Sequence, residues 1–491
     1  MVSSTLRSAV GQFAGLVFGA LAVKILAVTA GPSGVGLFSV LRHLQQSLSL
    51  LASIGGQAAI VQGLSSREGL ERERFQTHVC FFFIVVGVLL SIGMLFFAPL
   101  ISDWFFEGGC ASSVRWLVIS VLAGSGLFLV RGILNAHLRF GEVAWVNASA
   151  GLGGMLLAYP AGYLYLQGSY NALVAVVSAG PVAGLLVGWF FLRRQGLGML
   201  GLFSWSLLRL SEICAFVSLA FPTLLSAIFT MGSILVVRAL IVSQEGMDGG
   251  GVFDAAWSIS ALYLAFFLAA LQGYLLPVFA RYSPGRGLER LFLRALQFAF
   301  FVSFPVILVL VLLKPFLISV LFSEGFLPAL EVLRWMLLGD CVKIIGWVMA
   351  SVLMARADMR GFVVAEFLWA LIFLVLSVWL LKWGLEWVGV AYFISYIGYA
   401  VFLSWRLCFS HGLIISLRVL LSWLVGFALI SYASFIAWDS VVIRFNDLLL
   451  AVLIVLLLFL IMHEDERFYI SRYFRVRTVP LLRNFFARFY R

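Results

Sequence analysis

The chain has 491 residues, of which 63% are hydrophobic and 11% charged, with a formal net charge of +11 and a mean hydropathy of +1.09. A soluble domain carries roughly 25% charged residues, so this composition excludes a soluble globular protein and describes a chain that crosses a membrane many times. The cation excess would point to nucleic acid in a soluble chain. Here most arginines fall in short connections and in the C-terminal segment, where the positive-inside rule accounts for them.

Apolar runs of about 20 residues mark spanning helices. They are predicted near 8–30, 36–62, 78–101, 114–138, 143–164, 171–192, 213–242, 252–276, 293–313, 331–354, 362–383, 387–408, 419–437 and 447–462. The first run is too long for a cleaved leader, holds Lys24 and lacks a small-x-small site. With the N-terminus in the cytoplasm, one set of connections collects Arg67, Arg72, Arg139, Arg193, Arg281, Arg286, Arg356 and Arg406 among others. The other set holds only Arg115, Lys314, Lys382 and Arg444. That asymmetry and an even helix count place both termini on the cytoplasmic side.

One segment occurs twice. LAVKILAV at 21–28 and LVVRALIV at 235–242 each carry one cation, Lys24 or Arg238, and each runs into a glycine-rich break, GPSGVGLF or GMDGGGVF. A charge inside a span costs several kcal/mol unless protein or water shields it. Its repetition in two halves indicates a duplicated carrier with a cationic interior. The expected fold is an all-α integral membrane protein of about fourteen helices. Two pseudo-repeated six-helix bundles (1–205 and 206–410) are followed by an extra transmembrane hairpin (411–462) and a basic tail (463–491). The tail reads equally as an amphipathic surface helix and as a topology-fixing flank.

Further polar groups are candidates for the interior. In predicted helix two, Ser39, Arg42, Gln46, Ser49 and Ser53 share one face by 3- and 4-residue spacing, read either as a cavity wall or as helix packing through hydroxyls. Helix seven repeats the pattern with Thr223, Ser226, Thr230 and Ser233. Lys24, Arg42 and Arg238 fall in one layer, though Lys24 and Arg42 are also within snorkelling reach of the headgroups. Helix ten carries Glu331, Arg334, Asp340 and Lys343, the last two at pairing distance along the helix. Asp254 stands where Ser39 stands in the first half, as a coupling site or an Arg238 partner. Arg131 and Glu366 read as interfacial or cavity-lining. Trp257, Tyr263 and Trp347 are candidates for stacking on sugars and equally for packing. The five cysteines and five histidines show no metal-ligand spacing, and no phosphate-binding loop occurs. No metal, no cofactor and no enzymatic activity are expected.

The segments KILAVTAGPSGVGLF (24–38), LRHLQQSLSLLASIGG (41–56), YLLPVFAR (274–281), LLGDCVKIIGWV (337–348) and ARADMRGFVVAEF (355–367) resemble, in this order, the bacterial Wzx-type flippases of the polysaccharide-transport family. That family lies within the multidrug/oligosaccharidyl-lipid/polysaccharide (MOP) exporter superfamily, and the look is nearest to lipid III and O-antigen flippases. The resemblance implies a carrier in the bacterial inner membrane that moves an undecaprenyl-pyrophosphate-linked oligosaccharide, an O-antigen or exopolysaccharide repeat unit, from the cytoplasmic to the periplasmic leaflet. It implies alternating access driven by H+, Na+ or product withdrawal. It places Lys24, Arg42, Arg238 and Lys343 toward the pyrophosphate and sugars, and Asp340 in coupling or ion pairing; Arg131 and Arg334 are further candidates for the substrate side, and Asp254 and Glu366 for coupling or ion pairing. Its implied partners are membrane lipids, a polysaccharide polymerase and a chain-length regulator. The alternatives are a lipid II flippase, a multidrug or cation antiporter, which calls for an acidic cavity, and a membrane polymerase, which calls for a long outer loop.

Overall fold

The computed structural model describes residues 2–53, 57–106, 109–196 and 210–436. No strand occurs among them; the chain is helical, as lipid demands of a backbone that must satisfy its own hydrogen bonds. The helices are α1 (Val2–Thr29), α2 (Gly31–Ala52), α3 (Gln57–Ser65), α4 (Gly69–Phe106), α5 (Ala111–Ala136), α6 (Phe140–Leu166), α7 (Asn171–Arg194), α8 (Leu210–Arg281), α9 (Arg286–Leu321), α10 (Ala329–Ala355), α11 (Met359–Leu380), α12 (Glu386–His411) and α13 (Leu417–Ile436). Nine helices among the described residues are long and apolar enough to cross a membrane.

Short connections fold the long helices back on one another. One end of the molecule gathers the arginine-rich connections and is called the basic end; the other holds the α1–α2 turn and is called the Gly31 end. The helix expected over 36–62 is two, α2 and α3. Those expected over 213–242 and 252–276 are the two arms of α8, which meet at the non-helical Gly246 (φ 69°). Lys314, expected in a loop, is instead fully buried in the last turns of α9. The expected span at 447–462, Arg444, the basic tail and most of the connector around 193–212 lie outside the described residues.

Packing sorts the helices. α1 lies on α6, α6 on α7, and α5 on α4 and α7; α10 and α11 each pack on α8 and α12, and α9 packs on α10. α2 lies chiefly against α8 and so joins the two groups. α13 packs on α9 and α10, with Trp423 Nε1 donating to Cys341 O at 3.2 Å. At the basic end Phe216 of α8 is buried among Phe75, Phe82 and Phe83. Also there, Asp358 caps the start of α11 through the Gly361 N–H, and bonds to Arg406 at 2.9 and 3.0 Å hold its carboxyl down at about 2.

The two glycine-rich breaks form one structure. Gly31 (φ +67°) and Gly246 (φ +69°) both take the left-handed backbone that a side chain resists. Each reverses a helix, and the helices that follow cross backbone to backbone. A Cβ on Gly36 would lie 2.0 Å from Met247 O, and one on Gly251 would lie 2.0 Å from Pro32 O. Gly36 and Gly251 are as far apart in sequence as Gly31 and Gly246, and each closes on the other's turn. Gly36→Ala and Gly251→Ala are therefore expected to destabilise the protein by about 1–3 kcal/mol each through overpacking, read as a lowered melting temperature in detergent. Alanine at Gly93, which has open space around it, serves as the neutral control.

Candidate functional site

The crossing of α2 and α8 places an ion cluster on the seam between the helix groups. Asp254, fully buried on the second arm of α8, stands at its centre. Arg238, equally buried on the first arm, brings Nη2 to 2.9 Å from Asp254 Oδ1, and Nη1 donates to Ser39 Oγ of α2 at 3.1 Å. Ser39 and Asp254 occupy matching places after their glycine turns and share this one guanidinium. The Phe253 and Trp257 rings lie 5.2 and 5.9 Å from it. Arg42 approaches Asp254 more loosely, at 3.4 Å, and keeps 27% of its side chain exposed. His43 Nε2 lies 3.9 Å from the same carboxylate. One carboxylate thus faces two permanent cations, leaving the layer positive without counting His43.

Below this layer, toward the basic end, a cavity of about 380 Å³ opens inside the first helix group. Arg42 and Gln46 of α2 and Arg131 of α5 line it, with Phe38, Leu127 and Phe128 among its apolar walls. Gly151 of α6 and Gly180 of α7, on its wall, let α6 close on α1 and α7 close on α6: a Cβ there would lie 2.5 Å from Gly15 O and 2.8 Å from Ala150 O. No acidic side chain lines it among the described residues, and Arg131 Nε has no hydrogen-bond partner there. A chamber with two guanidinium groups and no carboxylate favours a hydrated anion.

The second helix group carries a separate polar file. Asp340, fully buried, accepts bonds from Ser260 at 2.7 Å, Tyr263 at 2.8 Å and Tyr392 at 2.8 Å. The expected direct pairing of Asp340 with Lys343 is replaced by a relay: Lys343 Nζ donates to Tyr392 Oη at 3.1 Å and lies over the Tyr396 ring at 5.0 Å. Farther along, Glu366 accepts from Tyr399 at 2.8 Å and from Thr230 at 2.9 Å.

Two cations expected to face the substrate stand elsewhere. Lys24 Nζ donates to Ser319 O at 3.1 Å and to Phe322 O, at the end of α9. Arg334 pairs with Glu331 at 2.5 Å and lies over Phe435 of α13 at 5.4 Å. The polar face of α2 serves both of its readings. Arg42 and Gln46 line the cavity, whereas Ser49 donates to Val121 O on α5 and Ser53 to Leu50 O. In α8, Thr223 and Ser233 bond carbonyls of their own helix, and of that stripe Thr230 reaches Glu366. Trp257 and Tyr263 pack against Arg238 and Asp340 respectively, while Trp347 accepts from Ser351 through its carbonyl. Tyr392, Tyr396 and Tyr399 were not singled out from sequence, although their 4- and 3-residue spacing on α12 marks one helix face.

The helix order and the two crossed breaks define a multi-pass, all-helical membrane protein. The fold is similar to "Lipid II flippase MurJ, inward closed conformation", with a TM-score of 0.72 at 17% identity over 93% of this chain and 98% of that one. It is also similar to an inward-facing multidrug resistance MATE family transporter of the MOP superfamily, with a TM-score of 0.64 at 15% identity over 89% of this chain and 100% of that one. Residues 25–331 match the family described as "Polysaccharide biosynthesis protein", and the chain belongs to that family. Among curated proteins it is 26% identical over 399 residues to the "Lipid III flippase" of Escherichia coli (strain K12), covering 79% of this chain and 94% of that protein. The Shigella flexneri "Lipid III flippase" matches equally. These relatives are flippases and transporters, not enzymes.

Among the described residues Asp254 is the one carboxylate paired with Arg238 and Arg42, and removing one partner of a buried pair costs about 3–5 kcal/mol. Asp254→Asn is expected to lower the melting temperature in detergent more than Arg42→Gln, which removes a half-exposed partner. The same order of melting temperatures should appear at low and high salt, since a buried pair is weakly screened.

Proposed function

We propose that this protein is a flippase for a polyprenyl-pyrophosphate-linked oligosaccharide, working by alternating access in the bacterial inner membrane with its basic end in the cytoplasm and its Gly31 end toward the periplasm. The observation that carries this reading is the carboxylate-free cavity lined by Arg42 and Arg131, which runs up to the positive Arg42–Asp254–Arg238 layer on the seam. A pyrophosphate needs several charge-assisted donors in a low-dielectric site, and guanidinium forks supply them in pairs. The loose contact of Arg42 with Asp254 lets that side chain turn to an anion while Arg238 keeps the carboxylate neutralised. The polyprenyl tail stays in lipid as the head crosses. The named activity of the lipid III flippases supports the substrate class, and an O-antigen or exopolysaccharide unit is the finer reading.

Lipid II flipping is the second reading, favoured by the extent of the structural match to MurJ; both substrates carry the same pyrophosphate. A cation antiporter is disfavoured by the sign of the cavity. For energy coupling, the buried carboxylates Asp340 and Glu366 in the second helix group are the proposed H+ or Na+ acceptors, set apart from the anion cavity. A polysaccharide polymerase and a chain-length regulator are the proposed protein partners.

The deciding measurement is leaflet-to-leaflet transfer in proteoliposomes, with lipid III-type, O-antigen-type and lipid II donors compared. The parent is expected to flip at least one oligosaccharide donor, with Arg42→Gln and Arg131→Gln slowing transfer about tenfold or more. Failure of the parent on every donor, or full activity of both variants, would overturn the proposal. Coupling is read in the same vesicles: an imposed pH or Na+ gradient is expected to accelerate the parent and to leave the rate of Asp340→Asn unchanged.

A further inference from the structure

The Gly31 end is closed by contacts that the ion layer does not use. The last carbonyls of α9 have no partner within their own helix, and they carry the negative end of its dipole. Lys24 of α1 reaches across and donates to two of them, Ser319 O and Phe322 O. Around this contact Ser323 Oγ lies 3.5 Å from Ala27 O, Gly325 sits against the Pro32 ring, and Phe326 is fully buried. The α1–α2 corner of one helix group is thereby tied to the α9–α10 corner of the other.

The direction of Lys24 separates it from the anion cavity. α1 lines that cavity with Gly19 and Ala22. At about 100° per residue, Lys24 lies roughly 200° round the helix from Ala22. Its ammonium has three donors, of which two are taken by α9. An anion drawn to Arg42 and Arg131 therefore meets Lys24 turned away and engaged. Opening the Gly31 end, by contrast, has to pull α9 off Lys24, because the contact spans the two groups that must part.

We propose that Lys24 is the latch of the Gly31 end: it holds α9 to α1 while that end is closed and releases it when the end opens. The latch takes its purpose from the alternating-access reading, but its existence is tested without substrate. The reporter is a cysteine introduced at Gln46, which lines the cavity, in protein whose exposed Cys214 and Cys408 are replaced by serine and whose remaining Cys80, Cys110 and Cys341 are buried. Labelling is measured with a membrane-impermeant thiol reagent added from the Gly31 side. Lys24→Met is expected to raise the labelling rate about fivefold or more, and Lys24→Arg, which keeps the donors, to stay within about twofold of the parent. A short thiol cross-link between cysteines placed at Ala27 and Ser323 is expected to cancel the gain. An unchanged labelling rate in Lys24→Met with an unaltered melting temperature overturns the latch. Unchanged labelling with loss of inorganic pyrophosphate binding also overturns it, and makes Lys24 a ligand instead. A parent that flips no donor would sink the proposed function and leave this labelling result standing.

Discussion

The shared carboxylate of Asp254 is the interaction on which the interior depends. It allows two guanidinium groups to exist at the seam of two apolar helix groups, one fully buried and one half-free. A buried ion is tolerated only when a counter-charge and hydrogen bonds replace the water it has lost. Arg238 receives both, from Asp254 and from Ser39. Arg42 receives a weaker share and keeps contact with the cavity. Arg238 and Arg42 are thus distinguished by half an ångström in their distances to Asp254 and by their exposure.

That cluster is placed by backbone geometry. Gly31 and Gly246 reverse their helices with the same left-handed φ, and Gly36 and Gly251 allow the following helices to touch carbonyl to Cα. Only this close crossing brings Ser39 within reach of Arg238 and Arg42 within reach of Asp254. Glycines of α6 and α7 do the same within the first group, where Gly151 closes on Gly15 of α1 and Gly180 on Ala150 of α6, so that the cavity is bounded by tightly packed helices.

The two helix groups carry polar interiors of opposite character. The cavity of the first is lined by arginines, with no carboxylate among the described residues, and suits an anion. The second holds Asp340 and Glu366 within a ladder of tyrosine hydroxyls, with Lys343 joined to Asp340 through Tyr392. On the proposed function, binding an anionic headgroup and responding to a cation gradient both gain from this separation, since neighbouring opposite charges would neutralise each other.

Sequence alone determined the membrane class, the order of the spans through α13, the repeated glycine breaks and the residues worth watching. Apolar run length and the cost of charge in lipid are local properties, written residue by residue. Tertiary structure decided which cations belong together. Lys24 and Arg238 occupy matching sequence places, yet Arg238 turns to Asp254 whereas Lys24 turns to the end of α9. Arg334 is drawn to Glu331 and Phe435, and Lys314 lies buried in a helix that sequence ended too early. The face a side chain presents depends on which helix stands opposite it; Arg42 meets Asp254 across 212 residues and Lys24 meets Ser319 across 295, separations that no local pattern encodes.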